Sequence, residues 1–372
     1  MVQAISRGFP ATTALLEGAV RDRVFPGCVF AVLAGRDTTT SADVQAVGRF
    51  TYEPESLPVE RGTIFDLASL TKVLATTAAV MWLLDRRLLA LDVPVSEWLP
   101  EFADLDPSDS RRSRVTLRML LSHSSGLPGY VRLFESANDR TAMIAAALSQ
   151  PLTADPGSRS EYSDIGFIVL GHLVEKIAGE RLDSFCQREI FSHLGMSASG
   201  FCPDPMLCAS IPPTEHDRGF RHRMIQGEVH DENASVMGGV AGHAGLFSDA
   251  LDPLRFATCI LEDGVTPSGS QLFSTQTIAQ FAEPARQPAG TSRALGWDTP
   301  STPSSSGNFF SRRSIGHLGF TGTSLWIDLD AAVAVTLLTN RTWPDRSNQA
   351  IRELRPHFHD AIRRELRTDH II

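Results

Sequence analysis

The sequence predicts an α+β fold: an antiparallel sheet flanked by helices and built from both ends of the chain, with a mostly helical segment inserted. Three observations carry that expectation. Residues 12–50 read as a helix followed by two strands, and residues 293–366 as strands followed by a charged amphipathic helix. Between them, apolar residues recur at the three-to-four spacing of helices that bury one face. The expected division places residues 1–60 plus 245–372 in the sheet-bearing domain and 61–244 in the helical one, with a site between them.

The elements follow in chain order. Residues 12–24 form an amphipathic helical pattern closed by Pro26-Gly27. "CVFAVLAG" (28–35) and "TTSADVQAVGRF" (39–50) read as paired strands, the first with a continuous apolar run. From Ile64 to about Leu91 the pattern is helical. "VTLRMLLSHSSGLPGY" (115–130) opens as a helix and ends in a Ser/Gly/Pro loop, and residues 141–149 and 166–178 give two more helices. Residues 201–242 read as a long irregular segment, and long loops in compact enzymes tend to be functional. Beyond Gly245, "RALGWD", "SIGHLGFTGTSLWIDLD" and "AAVAVTLLTN" read as successive antiparallel strands, and residues 347–366 as the terminal helix.

Composition narrows the function classes. Apolar content of 42% with 21% charged residues fits a soluble globular enzyme or binding protein. A net charge of −9 without any basic run argues against nucleic-acid binding. No window of about 18 uncharged apolar residues exists, so no membrane span is expected. The N-terminal residues lack the positive patch and apolar core of a secretory signal, so the chain reads as cytoplasmic, or as periplasmic or secreted if a leader was removed. Cys28, Cys186, Cys202, Cys208 and Cys259 are scattered and odd in number, which suggests plain thiols rather than a disulfide scaffold. The offset of Cys202 and Cys208 matches no common zinc spacing, and "HFH" (357–359) has no partner cluster. Neither a metal nor an organic cofactor is implied.

Lysine is the odd residue. Arginine supplies nearly all of the 34 basic side chains, and only Lys72 and Lys176 are lysines. Lys72 stands three residues after Ser69 at the start of an apolar helical stretch. On a helix that spacing puts both side chains on one face, about 5–6 Å apart at Cβ. A desolvated lysine beside a serine is able to take its proton and make it a nucleophile, whereas a guanidinium stays charged. The plainer reading is a helix-capping serine and a snorkelling lysine. Tyr162, one of three tyrosines, follows a turn-rich stretch and is either a proton relay or a partly buried core residue. In "GHLGFTG" (316–322) the glycines mark close approach of a backbone or a ligand, and His317 is placed to donate a hydrogen bond to a substrate or to Tyr162. Asn233 and His243, in the glycine-rich "HDENASVMGGVAGHAGLFS" (230–248), either border a pocket or serve the loop's own turns.

Ser69-Leu70-Thr71-Lys72, Tyr162-Ser163-Asp164 and His317-Leu318-Gly319 appear in the order and rough spacing of three known motifs. They resemble the S-x-x-K, Y-x-N and K-T-G or H-x-G motifs of the serine β-lactamase and penicillin-binding protein superfamily. The likeness is greatest to its class C-like branch of esterases, peptidases and β-lactamases. "LLSHSSGLP" (120–128) resembles that branch's "LLTHTSGLP", the 230–248 stretch resembles a loop in a subset of its members, and the likeness covers nearly the whole chain.

The resemblance implies a β-lactamase/transpeptidase-like fold and a small-molecule substrate. It makes Ser69 the acylated nucleophile, and Lys72 either its base or the cation that keeps Tyr162 anionic. Tyr162 would activate Ser69 or the deacylating water. The backbone N–H groups of Ser69 and Phe320 would form the oxyanion hole, with Gly319 keeping the strand edge open to substrate. Two residues depart from the pattern. Asp164 replaces an asparagine whose amide donates to a substrate carbonyl, and an ionised carboxylate only accepts, so it would hold Lys72 as an ammonium. His317 replaces the lysine that often helps recognise a carboxylate. Both shift the expected substrates toward small esters first, D-amino-acid peptides or amides next, and β-lactams last. The rival expectation is a catalytically idle protein that binds cell-wall fragments, disfavoured because Ser69, Lys72 and Tyr162 stand together.

Overall fold

Six strands form the central sheet of the computed structural model, which describes residues 3–5, 8–35, 41–104 and 109–368. They are Gln3–Ile5 (β1), Gly27–Ala34 (β2), Ser41–Gly48 (β3), Ser314–Leu318 (β4), Ser324–Asp328 (β5) and Val333–Thr339 (β6), in spatial order β1-β3-β2-β6-β5-β4. Both chain ends therefore build one sheet, joined where β2 pairs antiparallel with β6 through Leu33–Ala334 and Val29–Leu338. Every pair is antiparallel except β1–β3, which is parallel. The first two residues of the 39–50 strand expectation lie outside the described residues.

The apolar run of β2 is explained by burial on both faces. Val29, Ala31 and Leu33 join the large core that continues into the helical part. Cys28, Phe30 and Val32 face the other way and pack under helices Pro10–Arg21 and Ile351–Thr368 with Leu16, Phe358 and Ile362. Each such fully buried aliphatic or aromatic side chain contributes roughly 1.5–3 kcal/mol. The site helix and its neighbour are anchored the same way, since Val73, Leu74 and Val80 pack into one cluster with Ile168, Val169 and Leu173 of helix Asp164–Ala178.

Two local expectations are corrected. The stretch 64–91 is not one helix: Phe65–Asp66 is a strand that pairs with Leu246–Ser248, a tight turn follows at Ala68–Leu70, and regular α-helix covers only Ala78–Asp85. "RALGWD" is a turn closed by an Arg293–Asp298 bridge rather than a strand, because Gly296 takes a positive φ of 83° against Thr77. Helices Asp252–Leu261 and Thr275–Ala282 fill a stretch for which the sequence carries no element expectation. The irregular 201–242 segment does contain short elements, including a hairpin of Glu215–Asp217 with Arg223–Ile225 and helix Glu232–Val236. All five cysteines are free thiols. Among the described residues, no helix is long and apolar enough to cross a membrane.

Candidate active site

Ser69 is presented by a strained turn, not by the start of a regular helix. Ala68 has a φ of 48°, in the left-handed region, a conformation that costs about 1–2 kcal/mol for a residue with a Cβ. Hydrogen bonds hold it there. Asp66 Oδ1 accepts from Ala68 N at 2.8 Å, while its Oδ2 accepts from His230 N at 2.7 Å. Thr71 Oγ1 donates to Ala68 O at 2.6 Å. The hydroxyls of Thr321 and Thr323 donate to the Asp66 and Leu67 carbonyls at 2.8 and 2.9 Å, which stitches the Ser69 turn to the β4–β5 connection. Residues Lys72–Thr77 then wind as a wide π-turn, a geometry often found at functional sites.

Lys72 is fully buried and its ammonium nitrogen is the hub of the site. Nζ donates to Ser69 Oγ at 3.0 Å and to the His243 carbonyl at 3.0 Å, and lies 2.7 Å from Asp164 Oδ1. Asp164 opens helix Asp164–Ala178, whose N-cap Ser163 accepts from Gly166 N. Burial disfavours the charge on Lys72, but the Asp164 carboxylate, joined by Tyr162 when that phenol is ionised, outweighs it and holds the amine above its ordinary range. Lys72 is therefore a cation at rest. The Tyr162 phenol is within hydrogen-bonding reach of Lys72 and Ser69. Burial pushes that phenol up and Lys72 only partly offsets it, so Tyr162 rests protonated.

Two imidazoles flank the Tyr162 ring, His123 at 4.7 Å and His317 at 5.8 Å between centroids, and the Arg293 guanidinium lies 5.2 Å from it. Burial, followed by neighbouring cations, holds both histidines well below their ordinary range, so both are neutral. His317 Nδ1 faces the Leu318 carbonyl at 2.8 Å and must carry the proton, which leaves Nε2 as an acceptor without a partner among the described residues. His317 is thus not the donor expected from the sequence.

A cavity of ≈ 590 Å³ opens over Ser69 and is lined by Tyr162, Asp164, His243, His317, Gly319 and Phe320 among others. Tyr130 and Phe320 are about half exposed at its rim (47% and 45%) and give it an aromatic edge. Arginines line it too, with the Arg341 guanidinium 4.4 Å from the centre of the Phe320 ring. Arg293 is paired with Asp298 and Arg346 with Glu215 and Glu232. Arg341, Arg352 and Arg355 have no carboxylate partner among the described residues. The backbone N–H groups of Ser69 and Phe320 likewise have no partner among the described residues.

Most of the residues singled out from sequence converge here, and two are placed differently. Asn233 does not line the cavity: it is fully buried, accepting from Phe134 N at 3.0 Å and donating to the Val131 carbonyl at 2.9 Å, so it braces the loop bearing Tyr130. Gly319 lines the cavity, but a Cβ there would meet the Leu67 carbonyl at 2.5 Å and collide with Thr323. Its lack of a side chain serves the approach of the two backbones rather than an opening for substrate. His243 lines the cavity, pairs through Nε2 with Asp231 at 2.8 Å and offers its carbonyl to Lys72. Asp66, Thr321, Thr323, Arg341 and Arg355 were not anticipated. Nothing local marks them, because their partners are backbone carbonyls and amides brought near by the fold.

This fold and this serine–lysine–tyrosine cluster define a class, and comparison with known proteins identifies it. The family model described as β-lactamase matches residues 12–357. A putative D-alanyl-D-alanine carboxypeptidase of Escherichia coli (strain K12) is 32% identical over 306 residues, covering 75% of this chain and 69% of that one. A class C β-lactamase from Rhodobacter sphaeroides superposes with a TM-score of 0.73 at 22% identity, covering 96% of this chain and 99% of the other. EstCE1, a hydrolase with promiscuous acyltransferase activity, gives 0.71 at 22% identity over 95% and 97%. The last two likenesses concern the fold. The chain belongs to the β-lactamase family of serine hydrolases.

Proposed function

We propose that the protein is a serine acyl hydrolase that works through an acyl-enzyme at Ser69. The observation that carries this reading is the placement of Lys72 Nζ, 3.0 Å from Ser69 Oγ and 2.7 Å from Asp164. In the acylation step Ser69 Oγ bonds to the substrate acyl carbon and the carbonyl electron pair moves onto oxygen. In the fraction of enzyme whose Tyr162 has lost its proton to solvent, the Ser69 proton passes to the Tyr162 phenolate. The resulting oxyanion is received by the free N–H groups of Ser69 and Phe320. Collapse expels the leaving group, which takes the proton back from Tyr162. Water then repeats the sequence against the acyl-enzyme, with Tyr162 as its base. Lys72 stays an ammonium throughout and stabilises the phenolate whenever Tyr162 is without its proton. Tyr162 is the operative base in this scheme because Asp164 keeps the lysine protonated.

The substrate is a small ester, amide or D-amino-acid peptide, with β-lactams less favoured. The unpaired guanidinium of Arg352, exposed on the cavity wall beside Arg341, favours substrates that carry a carboxylate. That preference agrees with the carboxypeptidase name of the E. coli relative. The test combines p-nitrophenyl acetate, an acyl-D-alanyl-D-alanine peptide and a chromogenic cephalosporin, each with wild type and Ser69→Ala. Mass spectrometry of the intact protein reads the adduct. Turnover with a Ser69-linked acyl mass supports the reading. A wild type that neither turns over nor acylates with any of the three, nor with a fluorophosphonate, identifies a binding protein instead.

A further inference from the structure

The turn from Gly319 to Thr323 is held by two arginines that line the same cavity as Ser69. Arg355, on helix Ile351–Thr368, donates from Nη2 to the Gly319 carbonyl at 2.7 Å and to the Thr323 carbonyl at 2.9 Å. Arg341 donates from Nε to the Phe320 carbonyl at 2.7 Å, and its Nη1 is occupied by the Arg346 and Asn348 carbonyls at 3.0 and 2.8 Å. Of the two remaining carbonyls of the turn, Thr321 O accepts from Thr339 Oγ1 at 3.0 Å. All the carbonyls named are therefore engaged, whereas the Phe320 N–H has no partner among the described residues.

Gly319 C=O and Phe320 N–H belong to one planar peptide unit. A group that fixes the carbonyl end fixes the direction of the N–H. A cation bound to the carbonyl also draws electron density from the amide, which makes the N–H a stronger donor through hydrogen-bond cooperativity. Arg355 is 6% exposed, and its Nε has no partner among the described residues. Burying a cation without a carboxylate beside it is unfavourable. Burial and the nearby Arg341 and Arg352 push its guanidinium down to about 9, still charged at neutral pH. The cation is kept where its field reaches the peptide that faces Ser69.

We infer that Arg355, assisted by Arg341, is a positioning residue for the oxyanion hole: it orients and polarises the Gly319–Phe320 peptide whose N–H receives the developing negative charge. The inference rests on the acyl-enzyme reading above. It assigns Arg355 a role in the transition state and none in holding the substrate.

The experiment compares wild type, Arg355→Lys and Arg355→Met. It measures kcat and KM on p-nitrophenyl acetate, the Ki of phenylboronic acid, and Kd for an acyl-D-alanyl-D-alanine peptide in the Ser69→Ala background. Boronate forms a tetrahedral adduct on serine and places an oxygen in the oxyanion hole. Arg355→Met is expected to lower kcat by roughly 10- to 100-fold, below the ~10²–10³ that follows loss of a whole oxyanion donor. Boronate affinity should fall by a similar factor, with KM and peptide Kd within about threefold of wild type, a pattern that marks loss of transition-state binding alone. Arg355→Lys, which retains a charged donor, should recover about tenfold of the loss and serves alone should the Met variant not fold. A folded Arg355→Met with kcat and boronate Ki within threefold of wild type overturns the inference. So does a matching loss in peptide Kd, which would mean the arginine only shapes the cavity. A wild type inert to ester and boronate alike removes the acyl-enzyme reading itself, and this inference with it.

Discussion

The Lys72 ammonium lies 2.7 Å from the Asp164 carboxylate, fully buried, and this pair sets the chemistry of everything around it. A lysine beside a tyrosine lowers the phenol's pKa by offering its positive charge to the phenolate. Here that charge already faces a carboxylate. The Tyr162 phenol is held above its usual range by burial, lowered only in part by Lys72, and raised again by Asp164.

The first prediction concerns pH. The base must be deprotonated to accept the serine proton, so activity rises with pH through the pKa of the Lys72–Tyr162 pair. Both members are held above their ordinary values, near 10 and 10.5. In wild type kcat/KM should keep rising to about pH 10 or beyond, after correction for spontaneous ester hydrolysis. Asp164→Asn removes a negative charge that raises both members, so the pair gives up its first proton at lower pH. Its acid limb should move down by about one unit or more. A limb that stays in place or moves up contradicts the assigned role of Asp164.

Tyr162 and Asp164 should separate by magnitude. Tyr162→Phe removes the proton carrier and is expected to lower kcat about 10²–10⁴-fold on p-nitrophenyl esters. Asp164→Asn leaves both proton-carrying groups in place and should not lower kcat near neutral pH, where its lowered limb puts more of the enzyme in the phenolate form. Steady-state kinetics on matched preparations decides the point. Equal or reversed losses would falsify the assignment of Tyr162 as base.

The fold was legible from the ends of the chain because β2 and β6 are apolar runs bounded by turns, and the helices that cover them are amphipathic. The serine–lysine pair was legible because a lone lysine stood out among arginines. What stayed hidden is what depends on distant backbone. Asp66 acts through the amides of Ala68 and His230, and its neighbours in sequence look like an ordinary helix start. Arg355 sits in a charged terminal helix where it resembles any surface arginine, yet it reaches the Gly319 carbonyl. Asn233 misled for the opposite reason: a loop polar residue looks like a ligand contact until its partners prove to be Phe134 and Val131.

Acid should weaken the fold partly through Glu215. Its carboxylate accepts from Arg346 Nε at 2.8 Å and pairs with His230 Nε2 at 2.9 Å, holding together the 215–232 segment beside the cavity. Burial raises its pKa, but His230 and Arg346 outweigh burial and bring it down to about 2, from an ordinary 4.5. A carboxylate depressed in the folded state contributes stability above its unfolded pKa, and that stability is lost as pH falls through the folded one. Glu215→Gln should therefore have a lower Tm than wild type above about pH 5. The gap should close as pH falls from 4.5 toward 2. Calorimetry across that range checks it, and a gap that is constant with pH would rule out the charge as its origin.

Gly242 offers the sharpest test of how the glycine-rich loop supports Lys72. A Cβ on Gly242 would collide with the Phe167 carbonyl and meet Gly171 Cα at 2.9 Å, so this loop lies directly on helix Asp164–Ala178. Thr76 Oγ1 donates to the Gly242 carbonyl at 2.7 Å, and the next carbonyl, of His243, accepts from Lys72. Gly242→Ala must push residues 242–243 away from the helix, which costs about 1–3 kcal/mol in a packed interior and draws the acceptor away from the Lys72 ammonium. The variant should lose stability and also lose kcat, by tenfold or more. Gly238→Ala is the control. Its φ of 78° makes a side chain strained, but no atom lies within 4 Å of the added Cβ. That change should lower Tm by about 1 kcal/mol equivalent of strain and leave kcat near wild type. If Gly242→Ala loses no more Tm than Gly238→Ala and keeps its kcat, the loop does not position Lys72, and Asp164 together with Ser69 must hold it unaided.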